Sequence, residues 1–267
     1  MRGLLQCGMA VMMNVLGLSI AQAAAPSDSE GIALGSTRVI YPASAKNGIT
    51  FTVTNRTGQV YLLQSRIVPW AQNVMGAVDN SIASVSEPEA PPVLSDPDTT
   101  TPFIVLPPLT RFAPEEAMTL RIRLIKNTLP ADRESLFSLS LKAIPSQEKP
   151  SSNHDAAGAK MVLALQNNLK LFYRPEGLTV MSAAARAEAL EWRQRGTQLV
   201  LKNPTPYYVT LGTVSVDSTP LDLGSQRMLA PFASATYAPM APSSQSVSWQ
   251  LINDEGQRTP LQTRPLR

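Results

Sequence analysis

Residues 160–175 read KMVLALQNNLKLFYRP, and the reading of this stretch organises the whole chain. Met161, Leu163 and Leu165 alternate with Val162, Ala164 and Gln166, which is the period of a β-strand rather than a helix. Both faces of its first half are apolar, whereas a strand of an antiparallel sandwich usually buries one face and wets the other. Something beyond the sheet's own core is therefore expected to meet the second face. Downstream the pattern changes to Asn167-Asn168, Lys170, an aromatic pair and then Arg174-Pro175. A cation at the end of a sticky strand reads as a docking edge with a charged stop.

Working outward, the same short-strand grammar recurs. Ile32 to Tyr41 (IALGSTRVIY) is expected to be one strand, ended by Pro42. Ile49 to Thr54 alternates and passes through Asn55-Arg56-Thr57-Gly58 into Val60 to Val68, a hairpin-like pair. Asn55-Arg56-Thr57 matches a glycosylation acceptor, but the flanking pattern favours a turn. Phe103 to Val105 is stopped by Pro107-Pro108, Met118 to Leu124 carries Arg121 and Arg123 on its outer face, and Leu136 to Ile144 follows. Two polar connections, Gln72 to Thr101 and Ser146 to Ala159, read as surface loops. That makes roughly seven strands before Pro175, the count of an immunoglobulin-like sandwich. Ser182 to Trp192 has the composition for about two or three helical turns, with an irregular connection as the alternative. Strands resume at Gln198 to Lys202, Tyr207 to Val214, Ser246 to Ile252 and near Leu261, a smaller all-β region. No internal repeat stands out.

Composition agrees. The chain has 267 residues, room for two modest domains with real cores, and it combines sparse charge with 23 prolines. The net charge of +3 is spread without any Lys/Arg block, which argues against nucleic acid. Arg2, an apolar run from about Met9 to Ile20 and the small-x-small triplet Ala21-Gln22-Ala23 have the layout of a secretory leader. The single cysteine, Cys7, lies within that leader, so the mature chain is expected to hold no disulfide.

The search for catalytic chemistry is negative. The one histidine, His154, sits in a polar loop, where a solvated side chain is the expected role. No Cys/His cluster has metal-ligand spacing, no Gly-rich loop opens a helix, and no G-x-S-x-G elbow occurs. Glu115-Glu116 and Asp132/Glu134 are paired acids on turns. No enzyme activity, cofactor, metal or small-molecule substrate is expected.

Several blocks in order carry a resemblance: TRVIYP (37–42), PFIVLPPLTRFAPEEAMTLRI (102–122), RESLFSLSLKAIP (133–145), LKLFYRP (169–175), NPTPYYVT (203–210), LAPF (229–232) and INDEG (252–256). Together they resemble the periplasmic pilus (fimbrial) assembly chaperones of the PapD-like family, over almost the whole mature chain. The resemblance implies an all-β fold of two immunoglobulin-like β-sandwich domains in a boomerang arrangement. It places a leader over 1–23, an N-terminal domain over 24–176 and a C-terminal domain over 177–267. It implies a periplasmic protein that lends a β-strand to incomplete pilus subunits and delivers them to an outer-membrane usher.

By the same resemblance, the donor-strand residues fall on Met161, Leu163 and Leu165, and the anchor for the subunit's C-terminal carboxylate on Arg38 and Lys170. Two cations in a partly desolvated cleft suit one carboxylate, through charge-assisted hydrogen bonds. An ionic link between the domains falls on Glu134, Arg174 and Asp254. The cysteine pair of the long-loop branch is absent while both long connections look expanded, so the short-loop or long-loop branch stays open. Two other readings remain: a secreted carbohydrate-binding or adhesin-type sandwich, and a pilus subunit itself. Aromatics at only 6% weigh against the first, and two domains without a mature cysteine weigh against the second.

Overall fold

The computed structural model describes residues 30–70, 101–146, 163–237, 241 and 243–266. The leader over 1–23 with Cys7, most of the two long connections with His154, and Met161 lie outside the described residues. The elements run β1 Ile32–Leu34, β2 Arg38–Pro42, β3 Ile49–Asn55, β4 Tyr61–Pro69, β5 Phe103–Leu106, β6 Leu109–Phe112, β7 Ala117–Leu124, β8 Ser135–Pro145 and β9 Leu165–Arg174. After them come α1 Ala183–Ala189, β10 Glu191–Arg195, β11 Gln198–Lys202, β12 Val209–Val216, β13 Thr219–Pro220, β14 Met228–Leu229, β15 Ser234–Tyr237, β16 Ser246–Leu251 and β17 Gln262–Pro265. Among the described residues the protein is all-β apart from one short helix.

Two sheets, ordered β1-β3-β7-β5 and β2-β9-β8-β4-β6, enclose the first core. The alternation seen in the sequence becomes burial: β4 buries Tyr61, Leu63, Ser65 and Ile67 while Leu62 and Arg66 face out. Phe112, Leu120, Ile122, Leu139 and Leu171 are completely or almost completely buried at its centre. Each contributes roughly 1.5–3 kcal/mol by leaving water. The second core lies between β10-β11-β15 and the sheet built on β12, β16 and β17, with Trp249 fully buried.

The stretch Ile32 to Tyr41 is not one strand. It divides into β1, antiparallel to β3, and β2, parallel to β9, so the chain switches sheets between Leu34 and Arg38. Gly35 permits the break: a Cβ there would stand 3.2 Å from the Thr52 carbonyl oxygen. Ser36 Oγ then accepts from the Arg38 N–H at 3.2 Å and opens the second strand. The segment after Ser182 resolves into a seven-residue helix capped by Ser182 Oγ, which accepts from Ala185 N–H at 3.1 Å. Trp192 belongs instead to β10.

A repeat absent from the sequence reading appears in three dimensions. Asn55 Nδ2 donates to the carbonyl oxygens of Gln59 and Ala113, both at 2.8 Å, while Oδ1 accepts from Thr57 N–H at 3.1 Å and Thr57 Oγ1–H at 2.7 Å. Asn203 repeats this with the carbonyls of Tyr207 (2.8 Å) and Ala230 (2.9 Å), and with Thr205 N–H (3.1 Å) and Oγ1–H (2.7 Å). Both asparagines are fully buried, which makes Asn55 the pin of a turn. Each backbone group left unpaired in a buried site costs about 1–3 kcal/mol. Asn55→Ala and Asn203→Ala should therefore each lower stability by at least about 2 kcal/mol in urea melts. A loss below 0.5 kcal/mol at either site, on the order of a surface change, would contradict the pinning role.

Candidate functional site

The parallel pairing of β2 with β9 makes Arg38 and Lys170 register partners. Leu169, Leu171 and Tyr173 enter the core, so Lys170 and Phe172 point to the opposite face of the sheet. Val39 and Tyr41 enter the core from β2, which puts Arg38 on the same outer face as Lys170. Arg38 Nη1 donates to the Ile252 carbonyl oxygen at 3.1 Å, and its guanidinium stands 6.0 Å from the centre of the Phe172 ring. Lys170 Nζ lies 5.6 Å from the centre of the Trp70 ring and forms no hydrogen bond or ion pair with any described residue.

The electrostatics follow from this placement. Burial, reinforced by the Arg38 charge, pushes the Lys170 ammonium down to about 8. Burial also lowers Arg38, against the favourable field of Asp254. Two half-desolvated cations stand side by side, an arrangement whose chemistry suits an anion.

Beside them, charges from distant parts of the sequence meet. Arg174 Nε donates to Glu134 Oε1 at 2.8 Å, with Nη2 at 2.7 Å from the same oxygen, and Arg174 Nη1 donates to Asp254 Oδ2 at 3.1 Å. Glu134 Oε2 accepts the Tyr208 N–H at 2.8 Å, and the Glu134 N–H donates to the Pro206 carbonyl oxygen at 2.9 Å. Arg186, on α1, donates to Asp254 Oδ1 at 3.1 Å. The guanidiniums of Arg174 and Arg186 each stand 5.1 Å from the Tyr207 ring centre. Burial raises Asp254, but the two guanidiniums outweigh it and hold its carboxyl below the usual range. Sequence reasoning did not include Arg186 or the Ile252 carbonyl. Arg186 sits in an Ala-rich helical segment with no local signal, and a backbone carbonyl has no residue-type signature.

The strand read from Lys160 begins, among the described residues, at Leu165, which pairs with Ala143 of β8. Leu163 and Ala164 precede it without strand pairing, although β8 runs on to Pro145, two residues past that pair. Leu163 is 66% exposed and Leu165 46%, on the parity of the core residues but beyond the core's cover. β2 accompanies β9 only from Lys170 to Arg174, so no described strand pairs with residues 165–169 on that side. An open edge with exposed leucines thus leads directly to the cation pair. No group of three or more His, Cys, Asp or Glu side chains suited to a metal occurs among the described residues.

Comparison with known proteins identifies the family and the fold. Residues 81–179 match the family model of the PapD N-terminal domain of pili and flagellar-assembly chaperones, and 185–263 match the PapD C-terminal domain. The chaperone protein FimC of Escherichia coli is 33% identical over 234 residues, spanning 87% of this chain and 83% of FimC. FimB/FhaD of Bordetella pertussis is 32% identical over 253 residues, 92% of this chain and 93% of that protein. Among solved structures, a chain of the Salmonella enterica SafA pilin–SafB chaperone complex superposes with a TM-score of 0.67 at 28% identity, covering 90% of this chain and 98% of its own. The Pseudomonas aeruginosa CupB2 chaperone does so with 0.65 at 30% identity, covering 88% and 100%.

Proposed function

Because the chain belongs to the PapD family of pilus-assembly chaperones, we propose that it captures pilus subunits by adding the edge of β9 to their incomplete sheet. The observation that carries this reading is the open edge over 165–169, with Leu163 and Leu165 exposed and ending at Arg38 and Lys170. Strand addition satisfies the free backbone groups, and the alternate leucines fill pockets on the partner. Met161 continues the same parity. Arg38 and Lys170 take the subunit's C-terminal carboxylate, and that end-point sets the register. Glu134, Arg174, Asp254 and Arg186 hold the two cores in one relative orientation, with the division of domains near residue 176. The protein works in the periplasm after loss of residues 1–23 and hands its cargo to an outer-membrane usher. The family is one of chaperones, not of enzymes, and relatives assigned as fimbrial chaperones favour this reading over a carbohydrate-binding sandwich.

The test is capture. A C-terminally tagged protein, expressed with candidate pilus subunits and purified from the periplasm, should carry a small subunit with it. Arg38→Ala and Lys170→Ala should remove that subunit, since losing one partner of a desolvated charge contact costs about 2–5 kcal/mol. Recovery of subunit at wild-type yield by either variant would sink the anchor.

Capture should also depend on pH. The Lys170 ammonium is held at about 8, below its usual 10.5, and a bound carboxylate would raise it again. Binding then takes up a proton above pH 8, so affinity should fall by up to about tenfold per pH unit there. The free fold responds with the opposite sign. Between about 8 and 10.5 the unfolded chain holds the extra proton, so rising pH stabilises the folded state at this residue. Weaker capture at pH 9 than at pH 7, while the wild-type melting temperature relative to that of Lys170→Met rises instead of falling over the same range, is the expected pattern.

A further inference from the structure

Across the outer face of the five-stranded sheet, Arg38, Lys170, Ser138 and Val68 form one row on β2, β9, β8 and β4. Trp70 stands just past the end of β4, yet its ring reaches the Lys170 ammonium on β9. β8 lies between them, so the indole and the lysine side chain together span about 10 Å, two strand spacings. The register sets Ser138 opposite Lys170 and leads from the Pro69–Phe137 pair to Leu136 beside Trp70, so the crossing runs past these two side chains, of which Ser138, next to the ammonium, is the small one. Ser138 is 5% exposed although it points away from the core. Its Oγ and Trp70 Nε1 are both buried without a hydrogen-bond partner. Among the described residues, the strip between β4 and β9 is therefore shielded from bulk solvent. No carboxylate of the described residues pairs with the ammonium held there, and the face of an indole supplies negative potential.

We propose that Trp70, laid across Ser138, is the positioning residue that holds the Lys170 ammonium in the cleft before a carboxylate arrives. This rests on the anchor reading given above. The groups facing Lys170 are Arg38 from β2, Ser138 from β8, Trp70 beyond β4, and Asn168 and Phe172 of its own strand. Among these, Arg38 is the charged one, and it repels. Trp70 is thus the attractive contact that keeps the head group extended over the sheet instead of swinging towards solvent. When a subunit carboxylate binds, the ammonium already stands beside Arg38 and little side-chain freedom remains to be lost.

The experiment uses indole emission. Trp192 and Trp249 belong to the other core, so the wild-type spectrum minus that of Trp70→Phe isolates Trp70. That difference should titrate with a midpoint near 8, where Lys170 discharges, and the titration should vanish in Lys170→Met. In the capture assay, Trp70→Leu keeps bulk but removes the π face, so the pH midpoint of capture should fall by about half a unit. Trp70→Phe, which keeps a π face, should hold the wild-type midpoint. Ser138→Leu, which blocks the crossing, should behave like Trp70→Leu. A purely structural role would lower yield equally at every pH. The proposal is overturned if the difference signal does not titrate, if the titration survives in Lys170→Met, or if Trp70→Leu leaves the midpoint unmoved. Undiminished capture by Lys170→Met would overturn the anchor reading instead, and leave the emission result standing.

Discussion

Glu134→Ala is expected to destabilise the protein by about 3–5 kcal/mol, the cost of removing one partner from a buried ion pair. Its side chain is 1% exposed, and its two oxygens receive Arg174 and the Tyr208 N–H. Truncation would leave a guanidinium facing Asp254 alone and an amide of the second region with no acceptor. Both are penalties of the group left behind, so the loss exceeds the net worth of the pair itself. Asp254→Ala should cost less, because that carboxylate is 26% exposed and water reaches the two guanidiniums once it is gone. Denaturant melts of both variants, with a double-mutant cycle on Glu134 and Arg174, measure the difference. A loss under about 1 kcal/mol for Glu134→Ala, typical of an exposed pair, would show that this charge set is ornamental to the fold.

The second large effect concerns register. From Leu165 to Lys170 the strand spans roughly 16 Å, at about 3.3 Å per residue. One alanine inserted between Gln166 and Asn167 reverses the facing of Met161, Leu163 and Leu165 relative to the anchor. Polar Gln166 and small Ala164 would then be presented to the partner's pockets. Two alanines restore the facing but shift each leucine by about 7 Å, one pocket along. Capture should therefore be abolished by the single insertion and only weakened by the double. The fold should survive both, because the β9 residues committed to the core (Leu169, Leu171 and Tyr173) all lie after the insertion point. Upstream, only Gln166 and Leu165 pair with β8, and both are exposed. Equal capture by wild type and the single-insertion variant, with unchanged melts, would mean that the anchor does not set the register.

Strand identity and facing were legible in the sequence because a sheet residue's burial follows its parity. The alternation in ITFTVTN, AMTLRIRL and SVSWQL became burial patterns directly. Parity carries no information about where a strand changes sheets, so IALGSTRVIY looked continuous. The break at Gly35 depends on the close approach of a carbonyl from another strand. Short strands such as β6, β13, β14 and β15 escaped for a related reason: two to four residues are too few to show a period, and their pairing partners define them.

The candidate site divides along the same line. Alternation alone makes Arg38 and Lys170 ordinary outward cations, and only their blocks TRVIYP and LKLFYRP mark them out. Their adjacency arises from a parallel pairing between strands more than a hundred residues apart, which no local pattern encodes. Arg186 and Trp70 matter through contacts with Asp254 and Lys170, and neither stands within a recognisable motif. The sequence by itself determined the longer strands, their inward faces and the sticky stretch before Lys170, since these depend on hydrophobicity read along one chain. Tertiary structure alone decided which edge stays open, how dry the cations become and what faces them, because desolvation and charge act through space between residues far apart in sequence.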